Sequence, residues 1–169
     1  MTDTTSQNGK ATTQKSFFSR STTISIHIEA KRSIIWAILT NVEDFARWNS
    51  TIVEMSGKIE QGKKIKLKST LDLERVFNLK VEELKAEEKM VWADGQAPFF
   101  RGLRTYSLSE NKDGGCNFTM TEQLGGIMGP IVLRFIPDFD ASFEQFSADL
   151  KTESETIQKA NSLLSSLKN

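Results

Sequence analysis

The chain has 169 residues, and its 22 basic and 22 acidic residues leave it with no formal net charge. A chain of this length is expected to form one domain whose core needs no disulfide or metal for stability. Its neutrality argues against a nucleic-acid partner, since no excess of basic residues attracts the protein to polyanions. The single cysteine, Cys116, excludes an internal disulfide framework, and the single histidine, His27, excludes a multi-histidine metal site.

The first 20 residues are polar, and they lack the apolar segment of a secretory signal. We therefore expect a flexible polar tail over residues 1–20 and a single domain over residues 21–165. No run of 18 apolar residues occurs in the chain, which predicts no membrane span. The cytoplasm is the expected location.

Strand and helix patterns follow the tail in a simple order. In residues 22–30, three isoleucines share one side and polar residues occupy the other, which is typical of a half-buried strand. Residues 31–40 and 42–48 have helical patterns. Alternation and turn signals then predict six further strands, over residues 52–57, 63–70, 74–84, 89–93, 101–109 and 117–124.

The last third of the chain predicts one long helix, from about residue 138 to about residue 164. At about 100° per residue, its apolar side chains fall within roughly 60° of one another. This stripe consists of Phe139, Phe143, Phe146, Leu150 and Ile157. A curved antiparallel sheet that grips the helix is the simplest way to bury it, and such a body can leave a hollow between sheet and helix. The predicted fold is α+β, with about seven strands, two short helices after the first strand and a long C-terminal helix.

Several short motifs resemble those of one superfamily in their order and spacing. They are the helical segment IWAILT at residues 35–40, the turn Arg47-Trp48-Asn49 (with Ser50 where a proline is usual), the strand KMVW at residues 89–92, and the segments at residues 102–108, 118–125 and 149–155. Together they resemble the helix-grip fold of the START-like (SRPBCC) superfamily, which includes Bet v 1-like plant allergens, polyketide cyclases/dehydrases and lipid-transfer domains. The resemblance extends from about residue 22 to about residue 157 and implies this fold, but it does not identify a ligand.

The two strands around the turn at residues 111–115 are expected to pair as a hairpin. The expected cross-strand pairs are Leu108 with Phe118, Tyr106 with Met120, and Arg104 with Glu122. All six side chains then share the concave face, because side chains alternate with a period of two and the apolar ones require burial. Arg104 and Glu122 would form an ion pair beside Tyr106. This group either orients the polar head of a ligand or is a self-satisfied salt bridge that only sets the register.

Apolar and aromatic side chains are expected to complete a ligand-binding site around that group. The predicted ligand-binding residues are Phe77, Trp92, Arg104, Tyr106, Met120, Glu122, Phe139, Phe143 and Phe146. For most of the aromatic residues, filling of the core is the favoured interpretation. Phe139 and Phe143 are the better pocket candidates, because they lie at the start of the long helix, where such folds open.

The chain offers no convincing catalytic residue, and we expect no cofactor and no metal. His27 alternates with the isoleucines of the first strand and so faces away from the predicted cavity. Cys116 follows a turn and has no histidine near it in sequence. The glycines at positions 125, 126 and 129 lack the lysine and hydroxyl residue of a phosphate loop.

The expected function is non-enzymatic binding or transport of a small hydrophobic ligand, lipid-like or aromatic, with a polar or acidic head. One alternative is an enzyme of the polyketide aromatase/cyclase type, in which Arg104, Tyr106 or Glu122 transfers protons. Another is a partner-binding module of the co-chaperone type that uses the apolar residues 127–136. That segment is interpreted as a lid over the cavity, a partner surface or simply core.

Overall fold

The computed structural model describes residues 9–112 and 114–168. Within these ranges, eight strands form one antiparallel sheet in the order β1-β2-β8-β7-β6-β5-β4-β3. Their bounds are β1 Thr12–Lys15, β2 Ser19–Ile28, β3 Ile52–Gly57, β4 Lys64–Ser69, β5 Asp72–Lys85, β6 Lys89–Gln96, β7 Phe100–Glu110 and β8 Cys116–Gly125. The predicted α+β helix-grip class is confirmed, with eight strands in place of about seven.

Helices occupy the connections that the sequence pattern predicts. After β2 come α1 (Arg32–Thr40), a 3₁₀ turn (Val42–Asp44) and α2 (Phe45–Trp48). After β8 come the short helix α3 (Gly129–Val132) and the long helix α4 (Asp140–Ser166).

Polar contacts fix α4 to the N-terminal half of the chain. The backbone N–H groups of Glu29 and Lys31 donate to the side chains of Glu155 and Gln158, and Lys151 Nζ donates to the carbonyl oxygen of His27. Because these contacts join α4 to the end of β2, the helix is held against the sheet along the side where its apolar stripe is buried.

Register shifts in three strand pairs curve the sheet. They lie between Ile52 and Glu54 in β3, over residues 73–75 of β5 opposite Lys68 and Ser69 of β4, and between Val81 and Glu83 in β5. An extra residue in one strand of a pair bends that strand and increases its twist. These irregularities bend the half of the sheet formed by β3, β4 and β5.

The packed core lies where α2 and the middle of α4 meet the sheet. The Phe146 ring is 3% exposed and lies within 5.7–6.3 Å, between ring centroids, of four aromatic neighbours. These neighbours are Phe45, Trp48, Tyr106 and Phe118. The aromatic stripe of α4 thus packs on the concave face of the sheet, as its helical spacing predicts.

The main difference from the sequence-based expectation lies in residues 12–20. The sequence predicts a flexible tail over residues 1–20, of which residues 1–8 lie outside the described residues. Residues 12–15, however, form the edge strand β1, which pairs with β2 from Thr12 opposite Thr23 to Lys15 opposite Arg20. Its side chains are mostly exposed and polar, so no apolar alternation marks it as a strand.

Candidate functional site

The hairpin of β7 and β8 has the predicted register. Leu108 lies opposite Phe118, Tyr106 opposite Met120, and Arg104 opposite Glu122, as the sequence analysis expected. Nε of Arg104 donates a hydrogen bond to Oε2 of Glu122, and the two groups form an ion pair. The side chains of Arg104 and Glu122 are only 19% and 11% exposed, so the pair belongs to the interior face of the sheet.

A cavity of about 420 Å³ lies between this face, α4 and the segment that precedes α4. Small-molecule sites in proteins typically enclose roughly 300–1,000 Å³. Eight of the nine predicted site residues line the cavity: Phe77, Trp92, Arg104, Met120, Glu122, Phe139, Phe143 and Phe146. The β7–β8 hairpin and the aromatic residues at the start of α4 therefore line the same cavity, although they are far apart in sequence.

Tyr106 differs from the other predicted site residues because it lies behind the cavity wall. Its side chain is 1% exposed, and its ring packs against Trp92 with 4.8 Å between centroids. The Tyr106 hydroxyl makes no hydrogen bond of ordinary geometry to the described residues. Burial raises the pKa of this phenol, and the nearby Arg104 charge only partly offsets that effect. Tyr106 is therefore a neutral group that supports the wall from behind.

Neighbouring groups stabilise the charge of Arg104. Burial has the largest single effect and by itself would lower the pKa of the guanidinium, but the interactions with Glu122 and Tyr106 together outweigh burial, and the pKa is raised above its usual value. The guanidinium carbon also lies 5.2 Å from the centroid of the Phe143 ring, a cation–π distance. The interior face thus carries a charged guanidinium whose charge is balanced by the neighbouring carboxylate, within a largely apolar wall.

The cavity mouth contains residues outside the predicted ligand-binding set. Leu71 before β5 and Asp72 and Arg75 in β5 are not predicted from the sequence, whereas Ile131 and Phe135 belong to the segment of residues 127–136, which the sequence analysis interprets as a lid, a partner surface or core. Ile131 and Phe135 are also among the exposed large apolar residues, so the cavity opens to solvent beside them. The start of β5 was missed because its charged residues obscure the alternation of that strand.

The segment of residues 127–136 is held at both ends. At its start, the backbone N–H groups of Ile127 and Met128 donate to the carbonyl oxygens of Pro98 and Phe99, at 3.0 and 2.9 Å. Between these ends, several of its apolar side chains are exposed, so this segment is not simply core. It borders the cavity, which leaves the lid and partner-surface interpretations open.

Arg20 of β2 holds the other end of this segment. Its side chain is buried, and Nη1 and Nη2 donate to the carbonyl oxygens of Ile136 and Pro137 at 3.1 and 2.8 Å. The guanidinium carbon also lies 4.9 Å from the centroid of the Phe139 ring. Arg20 therefore fixes the point at which the chain enters α4. Sequence reasoning missed it, because its partners lie more than 100 residues away and are backbone atoms.

His27 and Cys116 lie away from the cavity. Nδ1 of His27 is 2.8 Å from Nδ2 of Asn111 and 3.3 Å from Oδ1 of Asn117. The Cys116 side chain is buried, and burial raises the pKa of its thiol, which makes it a poor nucleophile.

The family described as polyketide cyclase / dehydrase and lipid transport matches residues 19–155 of the chain. This match spans strands β2 to β8 and the first part of α4, and the chain belongs to that family. Comparison with curated proteins gave no match. No helix among the described residues is long and apolar enough to cross a membrane.

Solved structures share the fold at low sequence identity. The chain is similar to a START superfamily protein from Mycobacterium smegmatis, with 14% identity, a TM-score of 0.61, and coverage of 81% of this chain and 98% of that one. It is similar to a conserved protein of unknown function from Enterococcus faecalis, with 16% identity, a TM-score of 0.62 and coverage of 87% and 78%. It also resembles DynU16, a protein of the dynemicin biosynthetic locus, with 15% identity, a TM-score of 0.58 and coverage of 80% and 47%. These likenesses establish the START-like fold.

Proposed function

We propose that the protein binds and carries a small hydrophobic molecule in its internal cavity without changing it chemically. The observation that carries this proposal is the cavity of about 420 Å³ with its largely apolar wall. Removing apolar surface from water contributes about 25 cal/mol per Å² before the costs of association. An elongated or flat apolar molecule therefore binds such a space by burial alone.

The ion pair of Arg104 and Glu122 supports a ligand with one polar end. Arg104 offers N–H donors to a carboxylate, carbonyl or phenol oxygen, and Glu122 accepts from a hydroxyl. The aromatic rings of Phe139 and Phe143 stack at 5.8 Å, 5° from parallel, next to this pair, and they suit the apolar body of the same molecule. We expect the polar end to lie at the hairpin and the apolar end to extend toward the mouth.

The pairing of Arg104 with Glu122 favours a carrier over an enzyme. A general acid or base requires a group free to exchange a proton with the ligand, whereas each of these groups is already engaged by the other. The family description still includes cyclases and dehydrases, so an enzyme in which Arg104 or Glu122 transfers protons is the second candidate. Action in the cytoplasm remains a prediction.

Native mass spectrometry of the protein purified from cells tests the proposal. A retained lipid or aromatic compound would appear as added mass of one defined value per chain. Unchanged cargo after prolonged incubation supports a carrier, whereas its conversion to a product of different mass supports the enzyme. A protein that retains no cargo and binds no member of a panel of lipids and aromatic acids would contradict both.

A matched pair of variants tests the role of the polar end. Arg104→Leu removes the cavity-facing donor, and we expect weaker binding of acidic ligands with little change for neutral ones. Arg101→Leu is the control, because Arg101 lies on the opposite face of the same strand, where it pairs with Glu82. Equal losses in the two variants would show that the cavity-facing charge has no specific role.

A further inference from the structure

Seven exposed apolar side chains belong to three neighbouring segments around the cavity mouth. They come from the β1–β2 turn, the β6–β7 turn and the segment after β8: Phe17, Phe18, Phe99, Ile127, Met128, Ile131 and Phe135. Among the described residues, only 13 large apolar side chains are exposed, so more than half of them lie in this mouth patch. Water-soluble monomers rarely expose large contiguous apolar areas unless the area binds something.

Backbone contacts show that the mouth patch is continuous. The N–H of Gly126 donates to the carbonyl oxygen of Phe18 at 3.3 Å, and the N–H of Met128 donates to that of Phe99 at 2.9 Å. The packing at Gly129 is tight enough that an added Cβ would lie 2.2 Å from the carbonyl oxygen of Phe18. The β1–β2 and β6–β7 turns therefore lie on either side of the segment after β8.

The mouth patch also leads directly into the cavity. Ile131 and Phe135 belong to the patch and to the cavity lining at the same time. A molecule that leaves the cavity beside them passes along apolar side chains. If the molecule left the cavity directly into water, its apolar surface would be exposed to water again, and the free energy gained by burial in the cavity would be lost.

We propose that the mouth patch docks on the surface of a lipid bilayer and that cargo enters and leaves the cavity there. This inference rests on the proposed function, because a bilayer is the phase that dissolves an apolar cargo. Phenylalanine side chains on turns can insert into the boundary between head groups and acyl chains, as the apolar faces of interfacial helices do.

The charges around the mouth patch fit the same surface. Lys15 and Arg134 are exposed beside it and can contact lipid phosphates. Arg101 is paired with Glu82, and Arg20 is engaged by backbone carbonyls. Among these four cations of the described residues, only Lys15 and Arg134 can face lipid phosphates, and Lys15 also interacts with the carboxylate of Asp138. Apolar insertion therefore dominates the attraction, and binding should depend little on salt.

Co-sedimentation with extruded phosphatidylcholine vesicles containing a minor fraction of phosphatidylserine tests the docking. We expect the wild-type protein to sediment with the vesicles, and the fraction bound to change less than about twofold between about 50 and about 500 mM NaCl. The double variant Phe17→Asp/Phe99→Asp should lose about tenfold or more in partitioning. Neither residue lines the cavity.

Leu167→Asp is the matched control. Leu167 is 82% exposed, compared with 74% for Phe17, but it follows the last turn of α4, about 40 Å along that helix from the mouth. It should leave vesicle binding unchanged. If the double variant fails to fold, amide hydrogen exchange of the wild-type protein tests the docking instead. Docking should slow exchange of the backbone amides of residues 126–135 when vesicles are added.

Four results would overturn the docking proposal: no sedimentation of the wild-type protein, equal loss in the control variant, no protection of residues 126–135, or a dimer in light scattering that the double variant abolishes. The last result would assign the mouth patch to a second copy of the chain. Native mass spectrometry separates this proposal from the proposed function. Vesicle binding by a protein that neither retains cargo nor binds any member of the panel would contradict the carrier and its exchange of cargo, but not the docking itself. Cargo without vesicle binding would contradict only the docking.

Discussion

Arg104 and Glu122 stand directly opposite each other on β7 and β8, and the guanidinium donates to the carboxylate on the cavity side of the sheet. Two opposite charges in a largely apolar wall attract strongly, but each has lost much of its hydration. Removing one partner therefore costs more than removing both.

This relationship predicts an asymmetric double-mutant cycle. Arg104→Leu and Glu122→Leu should each lower the free energy of unfolding by about 3 kcal/mol, since each leaves a mostly buried charge unpaired. The double variant should lose only about 1 kcal/mol, because leucine fits an apolar wall. Urea unfolding of the four proteins measures the cycle. Additive losses would show that the two groups do not interact.

Tyr106 predicts a distinct response to alkaline pH. Because burial raises the pKa of the phenol, the folded protein keeps its proton at pH values where the unfolded chain releases it. The contribution of Tyr106 to stability is complete below the unfolded pKa of about 10 and is lost as pH rises above it. The free energy of unfolding should therefore fall more steeply above about pH 10 in the wild-type protein than in Tyr106→Phe.

Ultraviolet absorbance can follow this ionisation without a label, because the chain contains one tyrosine. The tyrosinate signal of the folded protein should begin above about pH 10 and coincide with unfolding. A reversible transition centred at the usual pKa, with the protein still folded, would show that the phenol reaches solvent.

Arg20 predicts a local effect at the entry to α4. Arg20→Met should lower the free energy of unfolding by about 2–3 kcal/mol, since it removes two charged hydrogen bonds to the carbonyl oxygens of Ile136 and Pro137. Amide exchange over residues 133–139 should accelerate. Arg75→Met is the control, because Arg75 is more than half exposed and its substitution should cost less than about 1 kcal/mol. Unchanged exchange in Arg20→Met would refute the anchoring role.

The tight packing of Phe146 predicts a large loss of stability when its ring is removed from the core next to the cavity. Phe146→Ala should cost about 3–5 kcal/mol in chemical denaturation, because the ring contacts four aromatic neighbours and is almost fully buried. Phe135→Ala should cost less than about 0.5 kcal/mol, because that ring is 83% exposed. Similar losses at the two positions would contradict this assignment of core and mouth.

Much of the fold follows from local patterns in the sequence. The turn at residues 111–115 and the alternation on each side of it determine the register of β7 and β8, and hence the meeting of Arg104 with Glu122. Helical spacing determines which face of α4 is buried. These features could be predicted because periodicity and turn chemistry act over a few residues.

Other features depend on contacts between distant parts of the chain. β1 is a polar edge strand that pairs with β2, and its sequence has no apolar alternation that would predict a strand. Arg20 donates to backbone carbonyl oxygens, and no side-chain motif predicts such a contact. The position of Tyr106 behind the wall reflects how neighbouring rings pack, although alternation correctly places it on the concave face. The volume of the cavity likewise depends on the packing of many side chains at once.

Trp92 lies in the cavity wall and is almost fully shielded from water. Indole fluorescence responds to the polarity and polarisability of its immediate surroundings, so an arriving guest would alter the emission of this residue. If the proposed ligand binds, replacing the other two tryptophans, Trp36 and Trp48, by phenylalanine would leave Trp92 as an intrinsic optical reporter, and ligand entry and release could be timed by stopped-flow fluorescence without an attached dye.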